Sequence, residues 1–271
     1  MQLRPPITPE DVQSKTSEYL REKLVVENLF QTNKVTYVLS HHDRILIGGV
    51  TLTNSEVRLE APAGLSSDFL LQRREMGLVC LSGSISVVVD ADSYELQAED
   101  ILYISLGSRD IKISGAGDVY FTSSMCHAQH KTTLISKDSS DAIVIGDCKN
   151  ASERTLRKYI HDQGVPSSSM AMGITTIHEG SVWNTMPCHV HERRTEVYLY
   201  FDLDVNEKVI HLFGEPDKSR NFVLSNKEVV ISPAWSIHTG AGTTNYKFVW
   251  STAGENITYS DFNLVETKNL K

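Results

Sequence analysis

Short apolar runs separated by turn residues recur along this chain, and they limit it to a fold built mainly from β-strands. Examples are residues 35–39, 45–50, 101–104, 197–201, 229–231 and 246–250. The N-terminal segment differs from this strand pattern. Thr8 is typical of a helix N-cap, with Pro9 at the first helical position and Asp11 three residues after Thr8. The sequence therefore predicts an all-β protein with one short N-terminal helix, ending near Glu22.

The two halves of the chain carry similar patterns in the same order. Residues 72–75 precede an apolar strand as residues 192–196 do, and residues 99–107 resemble residues 227–233. When Asp100 is aligned with Glu228, Asp110 falls opposite His238. This likeness indicates a duplicated β-barrel, and chance similarity between two antiparallel sheets is the alternative.

The duplication predicts three segments. Residues 1–24 form the N-terminal helical segment, residues 25–148 a first barrel without a metal site, and residues 149–271 a second barrel with one. The polar stretches 136–141 and 149–157 are predicted to connect the two copies.

A candidate metal site lies in the second copy. His189 and His191 are two residues apart, so on a strand both side chains point the same way and can bind one ion. Glu196 follows five residues later, and His238 follows a proline-containing turn. Three imidazoles and one carboxylate suit a divalent first-row metal. Cys188 is expected to point away from the two histidines.

Residues around these ligands suggest how a substrate would be held. Tyr198 shares a strand face with Glu196 and is expected to lie beside the metal. Arg193 and Arg194 occupy the turn between the ligands. By alternation at most one of them faces the cavity, where a guanidinium can bind a carboxylate in a bidentate pair; a solvated basic turn is the alternative.

The composition narrows the class of partner. A net charge of −8 over 271 residues argues against a general nucleic-acid binder. The N-terminus lacks an apolar signal core and no segment has the apolar length of a membrane span, so a cytoplasmic location is expected. The four scattered cysteines are predicted to be free thiols.

The spacing of the metal ligands resembles the cupin superfamily, whose first motif is H-x-H-x(3,4)-E. Trp235 departs from the second cupin motif, which has glycine at that position. Residues 40–49, 73–77, 183–194 and 231–240 resemble the 5-keto-4-deoxyuronate isomerase family more specifically, above all in the block Trp-Asn-Thr-Met-Pro-Cys-His at 183–189. The resemblance runs from about Leu24 to the C-terminus and implies two tandem cupin-like β-barrels, a bicupin.

The same resemblance implies a cofactor, an assembly and a reaction. It implies a homo-hexamer with one zinc ion per subunit, bound by His189, His191, Glu196 and His238. The implied reaction converts 5-dehydro-4-deoxy-D-glucuronate into 3-deoxy-D-glycero-2,5-hexodiulosonate, an aldose–ketose isomerisation of a small uronate in pectin degradation.

The catalytic roles stay open at this point. Glu196 is a candidate base despite being a ligand, and Tyr198 is a candidate acid. Arg194 is the first choice for the substrate carboxylate and Arg193 the second. Weaker alternatives are Glu192, His211 and Glu75 for the base, and Arg44 and Arg73 for the carboxylate.

Two other functions fit the same ligands. Three histidines and a glutamate also bind Fe(II), as a cupin dioxygenase would require. A non-catalytic, metal-dependent sugar-binding protein is the second alternative. Residue types alone do not separate zinc from iron or manganese.

Overall fold

The computed structural model describes residues 1–255 and 258–271. Strands dominate these residues, as the apolar runs predict, and helix is confined to short segments. The elements of the first half are β1 (Gln2–Arg4), α1 (Pro9–Ser14), α2 (Ser17–Leu24), β2 (Val25–Val26), β3 (Thr36–Ser40), β4 (Leu46–Arg58), β5 (Arg74–Cys80), β6 (Ser84–Val89), β7 (Asp92–Gln97), β8 (Ile101–Ile104), β9 (Ile111–Met125) and β10 (Thr133–Ile135). Those of the second half are β11 (Asp141–Ile145), β12 (Arg154–Ile160), β13 (Met170–Ile177), β14 (His189–Val190), β15 (Arg194–Phe201), β16 (Val209–Gly214), β17 (Arg220–Leu224), β18 (Val229–Ser232), β19 (Ile237–Gly242), β20 (Lys247–Gly254) and β21 (Asn263–Leu264). Single 3-10 turns lie at Lys137–Ser139, Cys148–Asn150, Pro216–Lys218 and Thr267–Asn269.

The N-terminal segment forms two short helices where the sequence predicts one. The capping box is present: the Thr8 hydroxyl accepts the Asp11 N–H and the Asp11 carboxylate accepts the Thr8 N–H. The first helix ends at Ser14, and Thr16 begins the second by accepting the N–H of Tyr19. A single helix to residue 22 is therefore wrong, because a second N-cap restarts the helix after two extended residues.

The N-terminal sheet consists of β1 and β3 to β10. Its strands follow the order β1-β3-β4-β9-β5-β8-β10, and the β6–β7 hairpin is attached through β9. The long strand β9 pairs with β4, β5 and β6 and so forms the centre of the sheet. Side chains such as Leu46, Leu78 and Phe121 fill a core of its own.

The C-terminal unit contains a larger and a smaller sheet. Seven strands form the C-terminal sheet in the order β11-β12-β13-β20-β15-β18-β2, and β17-β16-β19 form the small sheet. The short strand β14 pairs with β21. Five successive positions match between the two large sheets, since β3-β4-β9-β5-β8 corresponds to β12-β13-β20-β15-β18 in relative chain order.

The two units are joined by an apolar core and by polar contacts. Buried residues of both units, including Tyr120 from β9 and Met172 from β13, belong to one apolar cluster. Asp43 accepts both the N–H and the hydroxyl of Thr195, at 2.7 and 2.6 Å. Buried Glu75 accepts the N–H groups of two consecutive serines of the C-terminal unit, each at 2.8 Å. These bonds hold β15 and the segment before β13 against the N-terminal unit.

Two strands do not follow the predicted boundaries. Strand β2, at residues 25–26, and strand β11, at residues 141–145, both pair within the C-terminal sheet, although both fall inside the predicted first barrel. The stretch 149–157, predicted to be a connector, contains the start of β12. Only 136–141 bridges the sheets as expected, between β10 and β11. An edge strand joins a sheet through backbone hydrogen bonds to a segment that can be distant in the chain. Local composition does not show which segment this is.

The cysteines agree with the expected free thiols. Cys80 and Cys188 are buried, Cys126 is partly buried and Cys148 is exposed, and none forms a disulfide. Among the helices of the described residues, none has the length and apolar character needed to cross a bilayer.

Candidate metal centre

The structure brings together the four residues that the sequence predicts as metal ligands. His189 lies on β14, His191 directly follows that strand, Glu196 lies on β15, and His238 lies on β19 of the small sheet. One potential ligand atom from each lies within 4.8 Å of the others. Cys188 is buried and is not part of this cluster, in agreement with its expected direction.

A backbone hydrogen bond joins the two sequence motifs. The N–H of His191 donates to the carbonyl of Ala234 at 3.0 Å. The turn that contains Ala234 is closed by the N–H of Ser236, which donates to the Pro233 carbonyl at 2.9 Å. This turn leads into β19, so the same local structure that fixes His191 also delivers His238 to the cluster.

A hydrogen bond to a backbone carbonyl fixes the tautomer of one ligand. Nδ1 of His238 lies 3.3 Å from the Ser236 carbonyl, whereas Nδ1 of His191 lies 3.0 Å from the Asp261 carbonyl and 3.3 Å from the donor Nε of Arg194. A carbonyl oxygen only accepts, so Nδ1 of His238 carries the proton. Nε2 of His238 then presents a lone pair to the centre of the cluster, which is the form that binds metal.

The donor set fits a cation. Nε2 of His189 and Nε2 of His238 lie 2.9 Å apart, while Oε2 of Glu196 lies 2.6 Å from Nε2 of His191 and 3.2 Å from that of His238. Lone pairs this close repel unless a positive charge lies between them. Three imidazole nitrogens and one carboxylate oxygen are donors that suit a divalent first-row ion.

The charge states of the cluster agree with metal binding. Burial, followed by the neighbouring His238, lowers the pKa of His189 to about 2, so this imidazole is neutral at pH 7. Burial by itself would raise the pKa of Glu196. His238 and the hydrogen bond from His191 outweigh this effect and hold the pKa of that carboxyl well below its usual value. The carboxylate is therefore ionised, and its Oε1 has no hydrogen-bond partner among the described residues.

A cavity opens beside the cluster on the inner face of the C-terminal sheet. Glu196 and Tyr198 line it from β15, and Trp250, opposite Tyr198, lines it from β20. Gly173 on β13 lies opposite Trp250. A Cβ atom at Gly173 would come within 2.3 Å of the indole ring, so glycine is required for the ring to cover this strand.

The segment before the metal ligands fixes the tyrosine beside them. Thr185 Oγ1 lies 3.0 Å from the hydroxyl of Tyr198. The amide of Asn184 accepts the N–H of Gly240 at 2.7 Å and donates to the hydroxyl of Tyr200 at 3.2 Å. Burial, then the charge of the nearby glutamate, raises the pKa of Tyr198 well above its usual value. Tyr198 is thus a neutral phenol held against the cavity.

The two arginines of the intervening turn both bind a neighbouring segment of the chain. Arg194 lines the cavity, but its terminal nitrogens donate to the carbonyls of Thr258 and Tyr259 at 2.9 and 3.1 Å. Arg193 is half exposed and pairs with Asp261 at 3.1 Å. Together they fasten residues 258–261 over the cluster. As alternation predicts, one of the pair faces the cavity.

The weaker candidates lie elsewhere. Glu192 is exposed and accepts a bond from the side chain of residue 263. Glu75 is buried in the interface between the units. His211 is buried behind the tyrosines of β15 and bonds to one of them. Arg44 and Arg73 line a separate depression on the N-terminal unit. None of these five side chains lines the described part of the cavity.

Several cavity residues have no place in the sequence prediction, among them Arg154, Tyr259 and Phe262. Arg154 lies at the start of β12, in a stretch that looks like a polar connector. Tyr259 and Phe262 belong to the segment fastened by the arginines. The ring of Phe262 packs 4.8 Å from that of His189. The weak alternation around Leu156 is the single sequence signal that points to a strand here.

Comparison with known proteins gives close relatives over the whole chain. The model of the KduI/IolB family matches residues 24–268. A protein of Bacillus subtilis strain 168 is 42% identical over 275 residues, covering 100% of both chains. One of Halalkalibacterium halodurans is 38% identical over 276 residues, also covering 100% of both. Both relatives are named 4-deoxy-L-threo-5-hexosulose-uronate ketol-isomerase.

Solved structures share the fold at much lower identity. An IolB-like protein from Salmonella typhimurium LT2 matches with a TM-score of 0.72 at 14% identity, covering 89% of this chain and 96% of that one. Bacillus subtilis oxalate decarboxylase, a protein with Mn(II) centres, matches with a TM-score of 0.56 at 11% identity, covering 81% and 71%. Similarity at this level shows the architecture alone, which is mostly β and cupin-like.

Proposed function

Because this chain belongs to the KduI/IolB family, we propose that it is a zinc-dependent ketol-isomerase acting on 4-deoxy-L-threo-5-hexosulose uronate, with His189, His191, Glu196 and His238 as the zinc ligands. The observation that carries the proposal is the convergence of these four donors, with Glu196 ionised and His189 neutral, at the edge of a cavity. Relatives of equal length that bear this enzyme name support the choice of substrate.

The reaction requires a proton to move between neighbouring carbons. The aldehyde at C1 becomes a hydroxymethyl group while the hydroxyl at C2 becomes a ketone. A divalent ion held by His189, His191, Glu196 and His238 would supply Lewis-acid polarisation of the substrate. Such polarisation is needed because the hydrogen on C2 is otherwise only weakly acidic.

Glu196 and Tyr198 are the residues we assign to proton transfer. Oε2 of Glu196 faces the imidazoles, which leaves Oε1 free to take the proton from C2 and return it to C1. Tyr198 stays neutral, so its hydroxyl can supply a proton to the oxygen on C1 and regain one from the oxygen on C2. Trp250 and Phe262 line the cavity with apolar surface beside these two residues.

We also propose that the two units are tandem cupin barrels derived by duplication. In both large sheets a glycine lies opposite an aromatic residue of the central strand: Gly48 opposite Phe121 and Gly173 opposite Trp250. In both, a Cβ at the glycine would clash with that ring. The sequence predicts that the first barrel spans residues 25–148. On that division, β2 and β11 belong to the first barrel by sequence but pair as edge strands of the second.

Two further properties follow from the family resemblance and stay predictions. One zinc ion is expected per chain, and the chains are expected to form a homo-hexamer. Metal analysis of the purified protein and light scattering after size-exclusion chromatography measure both. The cytoplasmic location expected from the sequence is likewise a prediction.

One assay tests the proposed function. The purified protein is incubated with the unsaturated uronate released from pectin, and formation of the diketone is followed together with oxygen consumption. Isomerisation without oxygen uptake, lost after chelation and restored by zinc, is the expected result. Full activity of a metal-free sample would disprove the role of the metal.

The alternatives predict other outcomes in the same assay. Oxygen uptake that depends on bound iron would identify a dioxygenase. Binding of the uronate without any turnover would identify a sugar-binding protein.

A further inference from the structure

The cavity contains a guanidinium that the proposed chemistry does not yet use. Arg154 and Arg194 are the two cationic side chains among the described residues that line it. Arg194 commits three of its five N–H groups, to the backbone carbonyls of residues 258 and 259 and to Nδ1 of His191. Arg154 commits one N–H group and is therefore the cation of this cavity with more donors to spare.

The surroundings of Arg154 leave its charge uncompensated. Its one hydrogen bond among the described residues runs from Nη1 to the Ser152 carbonyl at 2.7 Å, and it forms no ion pair there. Burial lowers the pKa of Arg154, and the ionisable groups that act on it are the hydroxyls of Tyr198, Tyr259 and Tyr246. A partly buried guanidinium without an anion is costly unless a ligand supplies one.

Strand alternation aims this side chain into the cavity. Arg154 pairs with Ile177 of β13, and Leu156, two residues on, pairs with Thr175. Arg154, Leu156 and Thr175 all line the cavity. Thr155 and Arg157, which lie on the other face of β12, do not. The direction of Arg154 is thus set by the sheet and is not an accident of a flexible surface side chain.

We propose that Arg154 binds the carboxylate of the uronate substrate and makes the site selective for sugar acids over neutral sugars. The inference rests on the proposed function, because it needs a substrate whose reacting carbons lie at the metal cluster. In a six-carbon uronate the carboxylate is at the opposite end of the molecule from C1 and C2. The anchor must therefore be a cavity residue outside the cluster, and a guanidinium offers two parallel donors to a carboxylate.

Arg154→Gln tests the assignment. In the zinc-loaded protein KM for the uronate should rise about 100-fold, with kcat within a few-fold and zinc content unchanged, because one charge-assisted contact to the substrate is lost. Arg154→Lys should recover part of the loss, since it keeps the charge but not the paired geometry. Arg157→Gln is the matched control: it removes the same charge from the opposite face of β12 and should leave KM unchanged.

A binding measurement separates this inference from the proposed function. Titration calorimetry compares D-glucuronate with D-glucose, first on the wild-type protein and then on Arg154→Gln. Preference for glucuronate in the wild type that disappears in Arg154→Gln supports the anchor, even if no isomerisation is found.

Two results overturn the anchor. The first is an active wild-type enzyme whose KM is unchanged in Arg154→Gln; the proposed function then survives and Arg194 becomes the alternative. The second is a wild-type protein that neither isomerises the uronate nor prefers glucuronate to glucose, which rejects the anchor and the proposed function together.

Discussion

The two units of this molecule repeat one sheet topology, and only the C-terminal one holds a cluster of metal-binding donors within the described residues. The pairing registers locate the difference. On β5, Met76 lies opposite Ile104 of β8 and Ser123 of β9. On β15, Glu196 lies opposite Ser232 of β18 and Thr252 of β20. Met76 therefore occupies the position of the carboxylate ligand.

The other ligand positions follow the same rule. Counting back from β5 as from β15, Phe69 and Leu71 stand where the C-terminal unit has His189 and His191. Leu71 and Met76 are buried in the apolar core of the N-terminal sheet. The fold tolerates apolar or polar side chains at these inward-facing positions, because the backbone pairing that forms the sheet does not depend on them. Apolar side chains there stabilise the core, and polar side chains there form a candidate site.

The largest effect is expected at His238, which the sequence alignment of the two halves places opposite Asp110. His238→Ala removes a proposed metal ligand and should lower zinc affinity and kcat/KM at least about 100-fold. Asp110→Ala removes an ion pair with Arg58 (2.8 Å) on a partly exposed surface and should leave both unchanged. Metal analysis and steady-state kinetics measure the two variants. Equal losses would mean that the N-terminal unit shares the chemistry.

Replacing the buried Met76 with a carboxylate tests the same comparison by its effect on the stability of the protein. Met76→Glu places an unpaired carboxylate in an apolar core and should reduce the free energy of unfolding by about 3–5 kcal/mol. Met76→Leu, of similar volume, should cost less than about 1.5 kcal/mol. Urea denaturation measures both. If Met76→Glu were as stable as the wild type, water or cations would reach this position, and the contrast between the units would fail.

A pair of tyrosine variants separates catalysis from stability. Tyr198→Phe removes the hydroxyl beside the metal ligands and should lower kcat about 100-fold without changing zinc content. Tyr103→Phe removes a hydroxyl that donates to buried Glu75 at 2.9 Å in the N-terminal unit. It should cost about 2 kcal/mol of stability and leave kcat unchanged. A kcat that does not change in Tyr198→Phe would remove Tyr198 from the mechanism.

The smallest effect is expected at an ion pair that joins the units. Asp118 of β9 lies 2.6 Å from Nζ of Lys227. Burial would raise the pKa of Asp118, but Lys227 and a bond from Thr51 outweigh it and lower the pKa. The carboxylate therefore stabilises the fold above its unfolded-state pKa of about 4, and this contribution is lost as the pH falls through the lower folded-state pKa.

Asp118→Asn is the corresponding variant. It should cost about 1 kcal/mol at pH 7, because Lys227 is partly exposed. Its stability should also fall less steeply than that of the wild type as the pH drops below 4. Asp110→Asn, on the surface of the same sheet, is the control and should have less effect. An unchanged slope for Asp118→Asn would show that other carboxylates govern the loss of stability in acid.

Much of the candidate site could be read from the sequence. The alternation of strand residues placed His189 and His191 side by side and put Tyr198 on the face of Glu196, and the structure has both arrangements. These are local properties, because a side chain's direction along a strand is set by its own backbone. The single-helix prediction failed locally as well, at the second N-cap formed by Thr16.

The sequence by itself determined the mostly β architecture and the identity of the candidate metal ligands, since these depend on residue type and on spacing within a strand. The tertiary structure decided which arginine keeps more free donors, because the bonds of Arg194 depend on a segment 64 residues away in the chain. It also placed Arg154 in the cavity and gave β2 and β11 to the C-terminal sheet. Pairing between distant strands and the capture of a guanidinium by remote carbonyls are long-range contacts, which form only when the whole chain has folded.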